Sequence, residues 1–376
     1  MSLILKIKSL RHEAYLAWCQ LKPIQNNKVL LWSDDFKGFG CNPKYIALYL
    51  AQHFGDRYDI VWVLERDRKM PEGIPENIRI VRYFSMEYLK EISTAKVIIC
   101  NSRMGKSHFF RKRKGQFYIQ TWHSSLRLKK IEGDAPMLGQ GYVDLAKEDS
   151  SKIDLLLSGC AFSSDIFRRA FWYDGEIMES GTPRCDGFFG DNGAAKEKVY
   201  KFYDIPAGKK LALYAPTFRK DNKAGLNGMD FSKLGEALGE DWVVGCRLHP
   251  NLNMEVSGDG CIPMSKYPDM QELLIACDLL ITDYSSTMFD MAVAGKKCAL
   301  YVPDLQQYME SERGLYFDIE ALPFPKARTM DELCRCVADF EGYADRCRDF
   351  LKEIGSFEDG NAAKTVAQRI ERVCYD

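Results

Sequence analysis

The chain has 376 residues, of which 46% are hydrophobic and 28% charged, and its formal net charge at pH 7 is −1. The length favours two domains of roughly 150–200 residues, and the balanced charge argues against a general nucleic-acid binder. The thirteen cysteines include no C-x-x-C pair and no zinc-type spacing, which favours reduced, mostly buried thiols in a cytosolic protein over a metal centre or a disulfide framework.

The first 24 residues predict an amphipathic helix. Apolar residues recur there at helical spacing, basic side chains add positive charge, and Tyr15 and Trp18 are residues of the kind that anchor a helix at a membrane interface. The segment has no signal-peptide cleavage site, and no window of the chain reaches the ~18 apolar residues that span a bilayer. Two interpretations remain open for the helix: it lies on a membrane surface, or it packs on its own domain.

Strands and helices alternate from residue 25 onward. Several strand candidates are short apolar runs, which is typical of parallel strands covered on both faces. The first-half candidates are Lys28–Asp34, Asp59–Glu65, Ile78–Phe84, Lys96–Asn101, Gln116–Trp122, Leu155–Gly159 and Glu176–Gly181. Helices are predicted between them, for example at Pro43–Phe54, Met86–Ser93 and Ser163–Ala170.

Turn-rich segments at Gly181–Arg184 and Gly190–Gly193 place a domain boundary near residue 188. The predicted first domain is therefore 25–188 and the second is 189–376, with a last helix, Asn361–Cys374, that can pack back on the first domain. Strands predicted in the second domain are Lys210–Phe218, Trp242–His249, Gly260–Met264, Leu273–Thr282 and Lys297–Val302. Two doubly wound α/β domains in series place a cleft between the carboxyl ends of two sets of strands.

One candidate site is the segment Leu279–Gly295, which reads as the end of a buried strand that turns directly into a helix. The turn carries Asp283, Ser285 and Ser286. Hydroxyl groups and unpaired backbone N–H groups at a helix N-terminus form an anion site. The alternative is that the serines only cap the helix.

Two histidines, His123 and His249, each end a predicted strand, where doubly wound folds place ligand-binding groups. Histidine is the commonest general base, and the Lys and Arg residues after His123 are suited to hold a phosphate. Arg247 lies two residues before His249 on the same strand face, so the pair suits a phosphoryl oxygen. For each histidine, an ordinary loop or edge residue remains the alternative.

Thr217 and Arg219 project alike at the end of the first strand of the second domain, close to the expected cleft. Asp34 and Asp35 follow the first strand of the chain, and we expect a turn or capping role for them because no third metal ligand is apparent. The P-loop, dinucleotide-binding, nucleophile-elbow and zincin motifs are all absent from the sequence.

Several segments together resemble one family, the CDP-glycerol glycerophosphotransferases of the teichoic-acid primase and polymerase type. They follow the family's order over almost the whole chain: Cys41–Tyr45, Tyr118–His123, Leu128–Ile131, Gly181–Arg184, Tyr214–Arg219, Arg247–Pro250, Ile281–Ser286 and Phe357–Ala363. One departure is the loop Ser124-Ser125-Leu126, where the family usually has Gly-Thr-Pro.

The resemblance implies a GT-B-like fold, in which two Rossmann-like domains face a central cleft. It also implies transfer of glycerol phosphate from CDP-glycerol to a hydroxyl of a polyprenyl-linked saccharide or glycopolymer, with release of CMP and without a metal or other cofactor. The catalytic residues implied are His123 and His249. The substrate-binding residues are Arg247, Ser285, Ser286, Asp283, Thr217, Arg219, Lys129, Lys130 and Arg184, of which we expect Asp283 to orient the turn rather than touch phosphate.

Members of the family are monotopic proteins on the cytoplasmic face of the membrane, so the resemblance favours peripheral membrane contact by the first helix. The sequence leaves open CDP-ribitol or another CDP-polyol as the donor. It also leaves open a GT-B glycosyltransferase that uses a nucleotide sugar, and a non-catalytic phosphate- or sugar-binding protein. The acceptor, the number of units added and the oligomeric state are not predicted.

Overall fold

The computed structural model describes residues 3–71, 73–136, 138–217, 219, 226, 228–248, 260–311 and 314–376, with the side chains of 3–10 and 311 excepted. Within these residues the chain forms two parallel β-sheets, each with helices on both faces. The thirteen cysteines are all free thiols.

The first sheet has seven parallel strands in the order β3-β2-β1-β4-β5-β6-β7. The order reverses between β1 and β4, and such a switch point is where open α/β sheets bind ligands. The strands are β1 (Gln25–Leu31), β2 (Asp59–Leu64), β3 (Ile78–Arg82), β4 (Ala95–Cys100), β5 (Phe117–Gln120), β6 (Leu155–Ser158) and β7 (Glu176–Glu179).

The second sheet has six parallel strands in the order β10-β9-β8-β11-β12-β13, with its switch point between β8 and β11. Its strands are β8 (Lys210–Tyr214), β9 (Trp242–Cys246), β10 (Ile262–Pro263), β11 (Leu279–Thr282), β12 (Lys297–Tyr301) and β13 (Lys326–Ala327). The short edge strand β13 has no counterpart among the strands predicted from the sequence.

Thirteen α-helices are formed by the described residues: α1 (Leu3–Cys19), α2 (Cys41–Phe54), α3 (Met86–Thr94), α4 (Gln140–Ser150), α5 (Ala161–Ala170), α6 (Gly193–Phe202), α7 (Phe231–Leu238), α8 (Met270–Ala276), α9 (Thr287–Val293), α10 (Leu305–Ser311), α11 (Met330–Ala338), α12 (Tyr343–Glu353) and α13 (Ala362–Tyr375). The last helix crosses back to the first sheet. Its Val366 and Ile370 are fully buried in one core cluster with Val29 and Leu31 of β1.

The strand predicted at Leu273–Thr282 is wrong in its first half, because Met270–Ala276 is helix α8 and only Leu279–Thr282 is strand. Asp269 begins the helix, since its carboxylate accepts hydrogen bonds from the backbone N–H groups of Gln271 and Glu272. Both elements are buried, so the apolar run looks continuous in the sequence. A capping carboxylate, which periodicity does not report, decides where the helix lies.

Buried ion pairs join the two domains. Lys44 of α2 contacts both Asp269, which caps α8, and Glu272 within α8, with an Nζ–Oε1 distance of 2.9 Å to Glu272. A second connection is the loop after His123: the Lys130 N–H donates to the Gly314 carbonyl at 2.8 Å, and the Tyr316 N–H donates to the Leu128 carbonyl at 2.8 Å. These contacts set the orientation of one switch point relative to the other.

Candidate active site

The carboxyl ends of β8 and β11 meet at the switch point of the second sheet, where Asp283 holds them together. Its Oδ1 atom accepts hydrogen bonds from the Thr217 N–H at 2.8 Å and from the Tyr284 N–H at 2.6 Å, and its Oδ2 atom accepts one from Arg219 at 2.8 Å. Since the buried carboxylate is surrounded by donors of its own chain, Asp283 orients the turn.

Ser285 and Ser286 follow in this turn and are both half-buried. The Ser285 hydroxyl accepts a hydrogen bond from the Thr287 hydroxyl at 2.9 Å and a longer one, 3.4 Å, from the Thr287 N–H. Ser286 occupies the N-cap position of α9 but its side chain makes no capping hydrogen bond within the described structure. The simple capping explanation therefore does not account for the Ser286 hydroxyl.

Thr217 and Arg219 lie beside this turn, as their spacing predicts. The Thr217 Oγ1 atom is buried and finds no hydrogen-bond partner among the described residues. The Arg219 guanidinium is paired with Asp283 and with Asp304, at 2.8 and 2.9 Å respectively, and lies 5.0 Å from the Tyr284 ring. These carboxylates outweigh the opposing effect of burial and raise the pKa of Arg219. Thr217 thus has a spare donor at the turn, whereas Arg219 is already neutralised.

Arg247 directly follows β9. Its N–H donates to the Tyr214 carbonyl at 2.9 Å, and its guanidinium donates to the Tyr267 carbonyl at 2.5 Å. Burial lowers the pKa of Arg247. His249, the second predicted catalytic histidine, lies outside the described residues, so its role stays a prediction from the sequence.

His123 lies at the carboxyl end of β5 in the first sheet, two strands from the switch point, and is exposed. Its ring stacks on Trp122 with a centroid distance of 4.6 Å, and its Nδ1 atom lies 3.4 Å from the backbone carbonyl oxygen of Asn101. A carbonyl only accepts hydrogen bonds. In this geometry the proton therefore belongs on Nδ1, and Nε2 is the basic nitrogen.

Three further predicted residues have distinct surroundings. Lys129 and Lys130 lie in the loop that pairs with the second domain, and the Lys129 Nζ atom is 5.3 Å from the ring centroid of Tyr308. Arg184 is instead committed to Asp290 of α9, with both carboxylate oxygens 2.7 Å from its Nη2 atom. This ion pair joins Arg184 to α9, the helix that follows the serine turn, and balances its charge; its contact with substrate stays a prediction.

Two residues near His123 escaped the reasoning from sequence. The sequence shows Asn101 only as the end of a predicted strand and Asp34 only as a turn residue, yet their side chains are hydrogen-bonded to each other at 2.9 Å. Both residues lie directly or shortly after the two strands that flank the switch point of the first sheet, and this position in the sequence could have identified them.

Comparisons with known proteins agree with this architecture. A sequence model of the CDP-glycerol:poly(glycerophosphate) glycerophosphotransferase family matches residues 14–372. The chain belongs to this family. It is 30% identical to the teichoic acid glycerol-phosphate transferase of Staphylococcus aureus, with 96% of this chain and 98% of the relative covered. It is also 30% identical to the teichoic acid poly(glycerol phosphate) polymerase of Bacillus spizizenii, with 92% of each covered.

Among solved structures, the wall teichoic acid polymerase TagF superposes with a TM-score of 0.85 at 27% identity, covering 100% of this chain and 98% of that one. The family, the GT-B-like fold and the glycerophosphotransferase class predicted from the sequence are thereby confirmed.

Proposed function

We propose that this protein transfers a glycerol phosphate unit from CDP-glycerol to a hydroxyl of a lipid-linked saccharide or glycopolymer acceptor and releases CMP, as part of teichoic-acid-like polymer synthesis. The family match over residues 14–372 is the observation that carries the proposal. The structure adds two groups suited to this chemistry, each at the ligand-binding edge of a different sheet: the His123 imidazole and the Ser285–Ser286 turn.

In the proposed reaction the acceptor hydroxyl attacks the β-phosphorus of CDP-glycerol. A new P–O bond to the acceptor forms, the P–O bond to CMP breaks, and His123 Nε2 takes the proton of the hydroxyl. Phosphoryl transfer of this kind depends on positioning and on charge stabilisation more than on covalent help from the enzyme. The orientation of His123 by the Asn101 carbonyl suits a general base, because it leaves the basic nitrogen on the other side of the ring.

The donor pyrophosphate is proposed to bind at the serine turn. The Ser286 hydroxyl makes no capping hydrogen bond, and the buried Thr217 hydroxyl has no hydrogen-bond partner among the described residues, so both are proposed to donate to phosphate oxygens. Arg247, together with His249 from the sequence prediction, would stabilise charge that develops on the departing CMP, and positioned donors of this type contribute about 3–4 kcal/mol to catalysis.

The reaction is tested with CDP-glycerol and a lipid-linked disaccharide acceptor, with the products read by mass spectrometry. CMP and a new phosphodiester are expected. A nucleoside diphosphate released from a nucleotide sugar, with a new glycosidic bond, would instead identify an ordinary GT-B glycosyltransferase. A parallel reaction with CDP-ribitol measures which polyol the site prefers.

The base is tested with His123→Asn, which keeps a polar side chain of similar size. We expect kcat to fall by ~10²–10⁴-fold while CDP-glycerol binding changes little. His53→Asn, in an exposed histidine at the end of α2, is the matched control and should retain full activity. Near-normal turnover of His123→Asn would remove His123 as the base.

The donor site is tested with the double variant Ser285→Ala/Ser286→Ala, and with Ser151→Ala as a control at an exposed serine after α4. The double variant should bind CDP-glycerol more weakly in calorimetry, whereas the control should not. Unchanged donor affinity would return both serines to a capping role.

Contact with the cytoplasmic membrane surface is the second part of the proposal. None of the helices in the described residues is both long enough and apolar enough to cross a bilayer. Helix α1 buries Leu16 and Cys19 against its own domain, but Trp18 and, just beyond the helix, Leu21 are 51% and 83% exposed. Lys22 adds a cation 3.8 Å from the Trp18 ring. An exposed aromatic, an apolar side chain and a cation on one segment suit an anionic lipid surface.

Sedimentation with vesicles that contain anionic lipid measures this contact. Trp18→Ala/Leu21→Ala should lower the bound fraction several-fold, whereas Phe202→Ala, at another exposed aromatic residue on α6, should leave it unchanged. Equal binding by all three proteins would contradict the assignment of the surface to α1.

A further inference from the structure

The loop that follows β1 has an unusual backbone. Asp34, Asp35 and Phe36 have φ angles of +49°, +54° and +69°, so three successive non-glycine residues lie in the left-handed region. Each such residue costs of the order of 1 kcal/mol or more, and a run of three persists only where the surroundings hold it. The loop lies at the switch point of the first sheet, beside the strand end that leads to Asn101.

Asn101 holds this loop through two reciprocal hydrogen bonds. Its Oδ1 atom accepts from the Asp34 N–H at 2.8 Å, and its Nδ2 group donates to the Asp34 carboxylate at 2.9 Å. The Asn101 residue is buried, with 1% of its surface exposed. Ser102, the next residue, donates to the Asp35 carboxylate at 2.9 Å and supports the same loop.

The backbone carbonyl of Asn101 contacts His123, whose Nδ1 atom lies 3.4 Å from the Asn101 carbonyl oxygen. One residue therefore clamps the β1 loop with its side chain and accepts the histidine hydrogen bond with its main chain. Any shift of the clamp moves the carbonyl that fixes the ring orientation and tautomer of His123.

We propose that Asn101 and Asp34 are positioning residues for the reaction: their reciprocal side-chain pair fixes the Asn101 carbonyl, which holds His123 as the Nδ1–H tautomer with Nε2 directed to the acceptor hydroxyl. The inference rests on the proposed role of His123 as general base. It assigns no contact with substrate to Asn101 or Asp34.

A pair of reciprocal substitutions tests the clamp. Asn101→Asp replaces the NH₂ group that donates to Asp34 with an oxygen atom. Two carboxylates then face each other and the hydrogen bond between the side chains is lost. Adding Asp34→Asn restores a donor on the other side of the same contact. We expect Asn101→Asp to lower kcat by ~10–100-fold, since a displacement of about 1 Å at a reacting group costs up to this much, with the KM for CDP-glycerol within about threefold of wild type. The double variant should recover kcat to within about threefold.

Asn77→Asp is the matched control, because the Asn77 amide binds the Ala51 carbonyl at 3.0 Å just before β3, at the opposite end of the strands. It should leave kcat unchanged. A kcat of Asn101→Asp equal to that of wild type, or a double variant no more active than Asn101→Asp, would overturn the proposal. If His123→Asn is inactive while Asn101→Asp is fully active, only the positioning role fails; if His123→Asn is fully active, the proposed function itself fails.

A spectroscopic measurement does not depend on the stability of the variants. The imidazole ¹⁵N shifts of His123 in the wild-type protein, assigned by loss of its signals in His123→Asn, should report a proton on Nδ1 in the neutral form. In Asn101→Asp the tautomers should become mixed, and the double variant should restore the wild-type signal. A wild-type ring protonated on Nε2 would overturn the proposal even if Asn101→Asp did not fold.

Discussion

The ion pair between Arg184 and Asp290 gives a quantitative test of how the serine turn is supported. Asp290 is 1% exposed and Arg184 is 11% exposed at the side chain, and both carboxylate oxygens lie 2.7 Å from the guanidinium. Asp290→Asn keeps the shape of the side chain but leaves a buried guanidinium without its counter-charge. Breaking a buried pair by removing one partner costs about 3–5 kcal/mol. For a domain of this size, that loss lowers Tm by about 10 °C.

The assay is urea unfolding, followed by tryptophan fluorescence, together with calorimetric titration of CDP-glycerol. Asp345→Asn is the control, because Asp345 and Arg348 form a pair of similar length, 2.9 Å, whose side chains are 71% and 73% exposed. An exposed pair contributes about 0–1 kcal/mol. Since Asp290 lies on α9, donor affinity should fall along with stability in Asp290→Asn only. Equal costs for the two substitutions would refute the reasoning from burial.

Replacing both members of the pair, as Arg184→Met/Asp290→Leu, should be less destabilising than Asp290→Asn alone. The double substitution leaves no buried charge without a partner. If the double variant loses as much unfolding free energy as the two single variants added together, the pair stabilises the fold through its shape and not through its charge.

Three other outcomes are expected. Ile370→Ala should lower the free energy of unfolding by about 2–5 kcal/mol because it opens a cavity between α13 and the first sheet, while Lys364→Ala, on the exposed face of α13, should have little effect in the same urea assay. Burial raises the pKa of Glu358 to about 7 from 4.5. The contribution of Glu358 to the free energy of unfolding is therefore greatest in acid and is lost as the pH rises through that range. Glu358→Gln should remove this contribution, so its stability in urea titrations should differ less between pH 5 and pH 8 than that of wild type. EDTA should leave transferase activity intact, and a loss that Mg²⁺ restores would contradict the metal-free scheme.

The sequence predicted most strands and the two-domain order because buried parallel strands appear as short apolar runs. It did not predict the order of strands within each sheet, since that order depends on pairing between segments far apart in the chain. The error at Leu273–Thr282 has a different, local origin: a buried helix and a buried strand have similar composition, and the cap at Asp269 separates them.

For the site, the sequence identified residues that lie at strand ends, including His123, Thr217 and the serine turn. It did not identify what holds them, because the supporting contacts join residues far apart in the chain. Arg184, for example, forms its ion pair with Asp290, which lies 106 residues away in the chain, and its predicted role in substrate binding stays a prediction. An arginine that binds phosphate and an arginine that supports a helix look alike in a single sequence.

The two switch points are held by the same type of hydrogen bond between a side chain and a backbone N–H. In each sheet, the side chain just after the strand on the far side of the switch point accepts a hydrogen bond from a backbone N–H that follows the sheet's first strand. Asn101 accepts from the Asp34 N–H in the first sheet, and Asp283 accepts from the Thr217 N–H in the second. Each half of the proposed site is therefore built rigidly within its own domain. The distance between the halves then depends on the interdomain contacts of Lys44 and of the loop after His123. Substitutions at Lys44 should accordingly lower kcat without changing how either domain holds its own groups, because in-line transfer requires both halves to be in register.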